Sequence, residues 1–138
     1  MRLLGVDYGF KRIGLAVTDS TIGLPAARPP AASLGSLKKD AAQIASLVKR
    51  EAADAVVLGL PVEAEGEGRM ARLCRTLAGH LTEDHGVEVY LVDESLTSVA
   101  AEDLLFSTGM KASQRKKLRD GEAAALILER YLNEAQPS

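Results

Sequence analysis

The sequence has no tryptophan and a single cysteine, and only 4% of its 138 residues are aromatic. One cysteine, Cys74, cannot form an intrachain disulfide, which fits a reducing, cytoplasmic setting. The scarcity of aromatic rings argues against a base-stacking platform. No apolar run approaches the roughly 20 residues of a membrane span, and the N-terminus carries no signal-peptide pattern. We therefore expect a cytoplasmic protein that makes no membrane contact.

Neither sign of charge is in large excess. The formal net charge is −2 and the pI is about 5.7, a balance that disfavours a general nucleic-acid coat protein. It leaves room for an enzyme with a local basic patch. Apolar residues make up 46% of the chain and charged residues 26%, as in ordinary globular proteins. The length predicts a single domain spanning residues 1–138.

The periodicity of apolar residues predicts strands at 2–7, 13–18, 22–28, 55–59 and 87–92. It predicts helices at 36–52, 69–83, about 97–106 and about 119–134. We expect a tight hairpin at 8–12, a polar loop at 62–68 and a polar, basic connection at 107–118. Pro25, Pro29 and Pro30 confine the third strand to a sheet edge. The element order predicts an α/β fold in which helices flank a five-stranded mixed sheet with the first strand central.

Carboxylates follow two of the predicted strands. Asp7 ends the first strand and would project into the crevice where such sheets bind ligands, although a turn-capping role is also open. Asp93 and Glu94 end the last predicted strand. Only one of these two can face a site, because neighbouring side chains on a strand point in opposite directions. A solvated pair of loop carboxylates is the alternative.

Asp120 shares a predicted helix face with Ala124, Ile127 and Tyr131. That face is apolar, and a buried carboxylate needs a partner. A metal ion and a helix N-terminus both remain open as that partner. Three carboxylates that meet at one end of a sheet would suit Mg²⁺, and two such ions can clamp the attacking and leaving oxygens of a phosphodiester.

Two basic clusters flank these acids. Lys11 and Arg12 lie beside Asp7, and a second cluster precedes Asp120: Lys111, Arg115, Lys116, Lys117 and Arg119. A polyanionic substrate would lie there, and solvated loop charge is the other interpretation. We expect the remaining polar candidates to have structural and not catalytic roles. Arg69, Arg72 and Arg75 would form a solvated helix face, His80 and His85 would be surface residues, and Cys74 would belong to the core.

Four segments then carry a resemblance: Asp7-Tyr-Gly-Phe-Lys-Arg-Ile-Gly-Leu-Ala-Val-Thr-Asp19, Gly59-Leu-Pro61, Asp93-Glu-Ser-Leu-Thr97 and Asp120-Gly-Glu-Ala-Ala124. In order and spacing they resemble the YqgF family of Holliday-junction-resolvase-like proteins, also called pre-16S rRNA nucleases, over nearly the whole chain. The resemblance implies a ribonuclease H-like fold and a cytoplasmic nuclease that trims the 5′ end of precursor 16S rRNA. The carboxylates suit Mg²⁺ or Mn²⁺ as its cofactor. The resemblance also implies Asp7, Glu94 and Asp120 as the catalytic, metal-binding set. Thr97, which could also cap the helix at about 97–106, is a further candidate substrate contact.

The chain departs from the family pattern at two positions. Arginine usually follows the Asp-Glu pair, but Ser95 stands there, so one direct phosphate contact is missing. Asparagine is common two residues after Gly-Leu-Pro, but Glu63 stands there and adds a carboxylate near the expected site.

Other functions share parts of this pattern. Resolution of four-way DNA junctions would use the same chemistry, and junction symmetry would favour a dimer. A non-catalytic RNA-binding factor of ribosome assembly is a second alternative. An actin-like ATP-binding fold also carries Asp-x-Gly on its first strand but needs two such domains. We thus expect structured RNA, such as precursor 16S rRNA in the pre-ribosome, or branched DNA as the partner of a monomer or homodimer.

Overall fold

The computed structural model describes residues 1–19, 24–63, 66–94 and 112–135, with all their side chains except those of residues 63, 112–120 and 135. The elements in chain order are β1 (Arg2–Tyr8), β2 (Arg12–Asp19), β3 (Ala26–Ala32), α1 (Leu37–Arg50), β4 (Ala55–Leu60), β5 (Val62–Glu63), β6 (Gly66–Glu67), α2 (Arg69–His85), β7 (Val89–Asp93) and α3 (Ala112–Ala135). Within these ranges, no helix is long and apolar enough to cross a membrane.

Five strands form one mixed sheet in the order β3-β2-β1-β4-β7. β1, β2 and β3 pair antiparallel, whereas β1 with β4 and β4 with β7 pair parallel. The five-stranded sheet and the central position of the first strand are therefore confirmed. The predicted hairpin at 8–12 is confirmed too, since β1 and β2 pair from Tyr8 and Ile13 outward.

The edge position predicted for the third strand is confirmed, but its boundaries were wrong. β3 runs from Ala26 to Ala32 and includes Pro29 and Pro30. Its register with β2 shifts between Ile13 and Leu15, opposite the two prolines. An edge strand tolerates proline because the missing N–H can face away from the ladder, and an irregularity accommodates the rest.

Helices cover both faces of the sheet. Along β1, Leu4, Val6 and Tyr8 face α1 and α2 in one apolar core, whose helical members include Ile44, Leu77 and Leu81. The alternate residue Leu3 faces a second core that contains Ala124, Ile127 and Leu128 of α3. This alternation follows from the two-residue period of a strand. It places every odd-numbered β1 residue, Asp7 included, on the α3 face.

Two predicted connections contain regular structure. The loop expected at 62–68 holds the short pair β5 and β6, with Gly66 at a positive φ of 107°. The connection expected at 107–118 was wrong from residue 112 onward, where α3 begins. Arg115, Lys116 and Lys117 are good helix formers, and residues 112–120 contain neither glycine nor proline. The helix predicted at about 97–106 lies outside the described residues.

Candidate active site

Asp7 lies one residue before the end of β1, opposite Gly14 of β2. Its side chain is half-buried on the α3 face of the sheet. Gly5, two residues earlier on the same face, is a point of close approach by the backbone of α3. A Cβ on Gly5 would lie 2.8 Å from the carbonyl oxygen of Ala124 and 2.6 Å from Cγ of Leu128. The absence of a side chain there lets the helix backbone pack directly against the strand that carries Asp7.

Glu94 follows β7 immediately, and its backbone N–H donates to the carbonyl oxygen of Leu60 at 3.2 Å. One strand, β4, separates β7 from β1, so roughly 10 Å of sheet lies between the two backbones. The Glu94 side chain is only 8% exposed and packs over Gly59 of β4. A Cβ on Gly59 would lie 2.7 Å from Cδ and 2.8 Å from Oε2 of Glu94. The glutamate therefore crosses β4 through space that a larger residue would fill.

The carboxyl groups of Asp7 and Glu94 meet on the α3 face. Burial, followed by the negative charge of Asp7 and a hydrogen bond with it, raises the pKa of Glu94 to about 9, with a smaller contribution from Asp93. Two carboxylates this close share a proton when no cation compensates them. Oε2 of Glu94 is fully buried and has no hydrogen-bond partner among the described residues.

These features fit a divalent cation. The pair offers hard oxygen ligands, an orphaned buried oxygen and uncompensated negative charge. Mg²⁺ binds through one or two carboxylates and completes its shell with water or phosphate oxygens. In the described part of the chain no group of three or more His, Cys, Asp or Glu residues is arranged to hold a metal. A third carboxylate would have to come from residues whose side chains are not described, and Asp120 is one of them.

Asp120 belongs to α3, whose next residues lie on the sheet. A Cβ on Gly121 would be 2.9 Å from Cβ of Ala27 in β3, and Ala124 lies over Gly5 in β1. Ile127 reaches Gly59 in β4. The helix thus crosses the face on which Asp7 and Glu94 meet. The side chain of Asp120 is not described.

The predicted substrate contacts are described unevenly. Lys11 is exposed and Arg12 half-buried, both at the β1–β2 bend beside Asp7. Arg115, Lys116 and Lys117 lie in the first turns of α3, and their side chains are not described. Thr97, Lys111 and Ser95 lie outside the described residues. Glu63 lies in β5, directly after the Gly59–Pro61 segment, and its side chain is also not described.

Residues predicted to have structural roles mostly have them. Cys74 is buried in the α1–α2 core, and burial followed by the charges of Glu94 and Asp7 raises its pKa to about 12, which makes it a poor nucleophile. His85 is exposed, and Nδ1 of His80 lies 3.3 Å from a carboxylate oxygen of Asp84. Arg69, Arg72 and Arg75 are all exposed, as expected for a solvated helix face.

Sequence reasoning assigned no role to Gly59. A glycine within the buried strand Ala55–Leu60 was the available signal, because such a glycine often marks close approach by another group. It could not show which group approaches, since the approaching residue, Glu94, lies 35 positions later and follows another strand, β7.

A family model described as "RuvX: Holliday junction resolvase" matches residues 1–134. The chain belongs to the RuvX family. A relative from Anaeromyxobacter dehalogenans (strain 2CP-C) is 40% identical, covering 99% of this chain and 100% of its own length. A relative from Anaplasma marginale (strain St. Maries) is 37% identical, covering 98% of this chain and 86% of its own. Both are named "Putative pre-16S rRNA nuclease".

Among solved structures, T. thermophilus RuvC in complex with Holliday junction substrate is similar in fold, with a TM-score of 0.59 and 19% identity. The match covers 97% of this chain and 96% of that one. It confirms the predicted ribonuclease H-like fold. The family description names a resolvase, and both relatives of the chain are named as nucleases. This RuvX-family chain is therefore a nuclease, an enzyme that hydrolyses phosphodiester bonds.

Proposed function

We propose that this RuvX-family nuclease processes the 5′ end of precursor 16S rRNA, with a divalent metal ion held by Asp7, Glu94 and Asp120. The pairing of half-buried Asp7 with buried Glu94 carries the proposal. Buried carboxylates that repel each other cost stability, and a cation site is the chemistry that makes such a pair useful. The names of the relatives favour precursor rRNA over a DNA junction.

Each residue of the acidic set has a distinct task. Asp7 presents its carboxylate from the central strand, Glu94 reaches it across Gly59, and Asp120 supplies a third carboxylate from α3. When bound, Mg²⁺ or Mn²⁺ supplies positive charge that polarises the phosphodiester and stabilises charge that develops on its oxygens. The three carboxylates would hold the metal ion in place. Glu94 is only 8% exposed, so bulk water has little access to it.

Basic residues around this set position the substrate backbone. Lys11 and Arg12 lie on the bend that follows Asp7 and would contact phosphates next to the cut. Thr97, Lys111, Arg115, Lys116 and Lys117 would extend these contacts along the strand. Such contacts fix the register of a nucleic acid without reading its sequence. A local cluster of basic residues can therefore bind the phosphate backbone although the net charge of the whole chain is slightly negative.

We further propose that the enzyme acts as a single domain in the cytoplasm, as a monomer or a homodimer, on the pre-ribosome. Resolution of four-way DNA junctions is the second candidate, because the family description names that activity. A dimer would be needed to cut two strands symmetrically.

The deciding experiment is cleavage by the purified protein of two substrates, a precursor 16S rRNA fragment and a four-way DNA junction, in Mg²⁺, Mn²⁺ or EDTA. We expect the RNA to be cut near its mature 5′ end in either metal and to stay intact in EDTA. Cleavage of the junction alone would assign the resolvase activity instead. Failure to cut either substrate would favour a non-catalytic role in ribosome assembly.

A further inference from the structure

A small cavity lies on the opposite face of the sheet from the carboxylate pair, beside the β1–β2 bend. Its volume is about 200 Å³, and its walls include Tyr8, Phe10, Ser36, Arg69 and Leu73. That volume is below the roughly 300 Å³ of the smallest pockets for drug-sized ligands, so it suits one small group. Of the acidic set and the predicted phosphate contacts, those with described side chains, Asp7, Glu94, Lys11 and Arg12, do not line it.

Phe10 is the unusual residue of this cavity. Its side chain is 62% exposed, although phenylalanine is ordinarily buried. The guanidinium carbon of Arg69, the first residue of α2, lies 5.9 Å from the centre of the Phe10 ring. A cation at this distance holds the ring through its quadrupole and leaves the other ring face open to solvent. The ring is thus exposed, with a positive charge beside one of its faces.

The charge around Phe10 favours an anionic ligand. Neither Arg69 nor Lys11 forms an ion pair with a carboxylate of the described residues. The first turn of α2 contains no acidic residue, and its N-cap, Gly68, offers no capping side chain, so its N–H groups add to the positive potential. A group that combines a flat ring with a negative charge is the natural complement, and a nucleotide has both.

Among the described residues, Asp40 contacts two residues of the cavity wall, Tyr8 and Ser33, and its carboxylate is engaged by hydrogen bonds. Asp40 is fully buried and accepts hydrogen bonds from the Tyr8 hydroxyl at 2.5 Å, the Ser33 hydroxyl at 2.8 Å and the Leu34 N–H at 2.8 Å. Burial and the hydrogen bond to Asp40 raise the pKa of Tyr8 to about 12, so the tyrosine stays neutral. These hydrogen bonds fix the cavity wall and engage the Asp40 carboxylate, so that its negative charge is not presented to a ligand in the cavity.

We propose that Phe10 and Arg69 form a binding site for one unpaired base of the substrate, next to the cut phosphate. The base stacks on the open face of Phe10, and Arg69 contacts the adjoining phosphate. Phe10 follows Asp7 by three residues, a span of at most about 10 Å, and lies on the bend at the end of the sheet. A strand held at the carboxylates on the α3 face would pass around this end of the sheet to bring a neighbouring nucleotide to the ring on the other face. The low aromatic content of the chain is no obstacle, because a single ring suffices for a single base. The substrate class is nucleic acid with an unpaired nucleotide beside the cut, which rests on the proposed nuclease function.

Binding in EDTA tests this site without requiring cleavage. The probe is an oligoribonucleotide with 2-aminopurine at one internal position, used single-stranded and annealed to its complement. We expect Phe10→Ala to weaken single-strand binding about five- to hundredfold and to leave duplex binding unchanged. Phe10→Tyr keeps the ring and should bind like the parent, whereas Phe10→Leu keeps apolar bulk and should fail like alanine.

Arg69→Gln tests the phosphate contact, and Arg72→Gln, an exposed arginine three residues along the same helix, is the matched control. Only Arg69→Gln should reduce the slope of the logarithm of the binding constant against the logarithm of the salt concentration, by about one unit. Equal losses on single strand and duplex for Phe10→Ala, or no loss on either, would overturn the stacking site. If Phe10→Ala behaves in this way while the parent cuts RNA, only the stacking site fails. If the parent cuts no substrate, but Phe10→Ala loses binding to the single strand and not to the duplex, only the nuclease proposal fails.

Discussion

Gly59 lies directly beneath the carboxyl group of Glu94, with room for a hydrogen atom and no more. A Cβ at Gly59 would approach Cδ of Glu94 to 2.7 Å and Cδ1 of Ile127 to 2.5 Å. Both distances are far below van der Waals contact. The position of one half of the carboxylate pair therefore depends on a residue with no side chain, in a strand that contributes no carboxylate of its own to the pair.

Replacing this glycine should displace Glu94. We expect Gly59→Ala to lower metal-dependent cleavage by about a hundredfold, because misplacing a reacting group by about 1 Å has an effect of that size. Gly79→Ala adds the same methyl group in α2, where nothing lies within 4 Å of the new Cβ. That control should retain activity and gain slightly in thermal stability, since alanine favours helix. Parent-like cleavage by Gly59→Ala would contradict the role assigned to the glycine.

Glu94→Gln should stabilise the metal-free protein and flatten its pH dependence. The pKa of Glu94 is about 9 in the folded state against 4.5 for the ordinary group. The contribution of Glu94 to stability is therefore fully present below 4.5 and is lost as the pH rises through 9. Above about pH 6 we expect the variant to exceed the parent by at least about 1.4 kcal/mol, the equivalent of one pKa unit.

Urea unfolding in EDTA across this pH range measures the difference. Added Mg²⁺ should then stabilise the parent more than Glu94→Gln, because the variant has lost a charged ligand. An identical pH slope for the two proteins would show that Glu94 is not buried against Asp7 as described.

Asp7→Asn and Asp120→Asn should each reduce cleavage to background in Mg²⁺ and in Mn²⁺. Both substitutions keep the shape of the side chain and remove its charge, so circular dichroism should show an unchanged fold. Asp7→Asn should also unfold at a higher temperature than the parent without metal, because it relieves repulsion with Glu94. If both variants cut like the parent, the acidic set is not the catalytic one.

Reversing Lys116 and Lys117 to glutamate should weaken RNA binding and reduce its salt dependence, by about one unit of slope for each phosphate that the protein no longer neutralises. The matched control is the same reversal at Lys38 and Lys39, an exposed adjacent pair on α1, which packs on the other face of the sheet. Filter binding at several salt concentrations separates the two double variants. Equal salt slopes would exclude α3 as the phosphate-contacting helix.

Much of the architecture follows from the sequence because apolar periodicity records which faces are buried. That periodicity predicted the five strands, the central first strand and the helices flanking them. It failed at the start of α3, where a dense run of arginine and lysine was interpreted as a connection although these residues favour helix. The strand boundaries at 26–32 and the pair β5–β6 depend on which partner strand is available, which local pattern does not encode.

The candidate site was predictable only in part for a related reason. Asp7 could be assigned from its position at the end of a buried strand, but the contact between Asp7 and Glu94 required a side chain to cross β4. Whether that crossing occurs depends on the shape of Gly59 and on the packing of Ile127, which are long-range properties. The pairing of Phe10 with Arg69 likewise joins two segments that are 59 positions apart in sequence.

The close approach of α3 to the sheet makes the site part of one cooperative unit. The helix packs on all five strands, and Gly5, Gly59 and Gly121 bring it so near that a shift of one residue, about 1.5 Å along its axis, would disrupt the packing at several points at once. Partial loosening of the helix that carries Asp120 is thus unfavourable. Amide protons in the packed half of α3 should therefore exchange with solvent only when the whole molecule unfolds, at the same rate as those of β1.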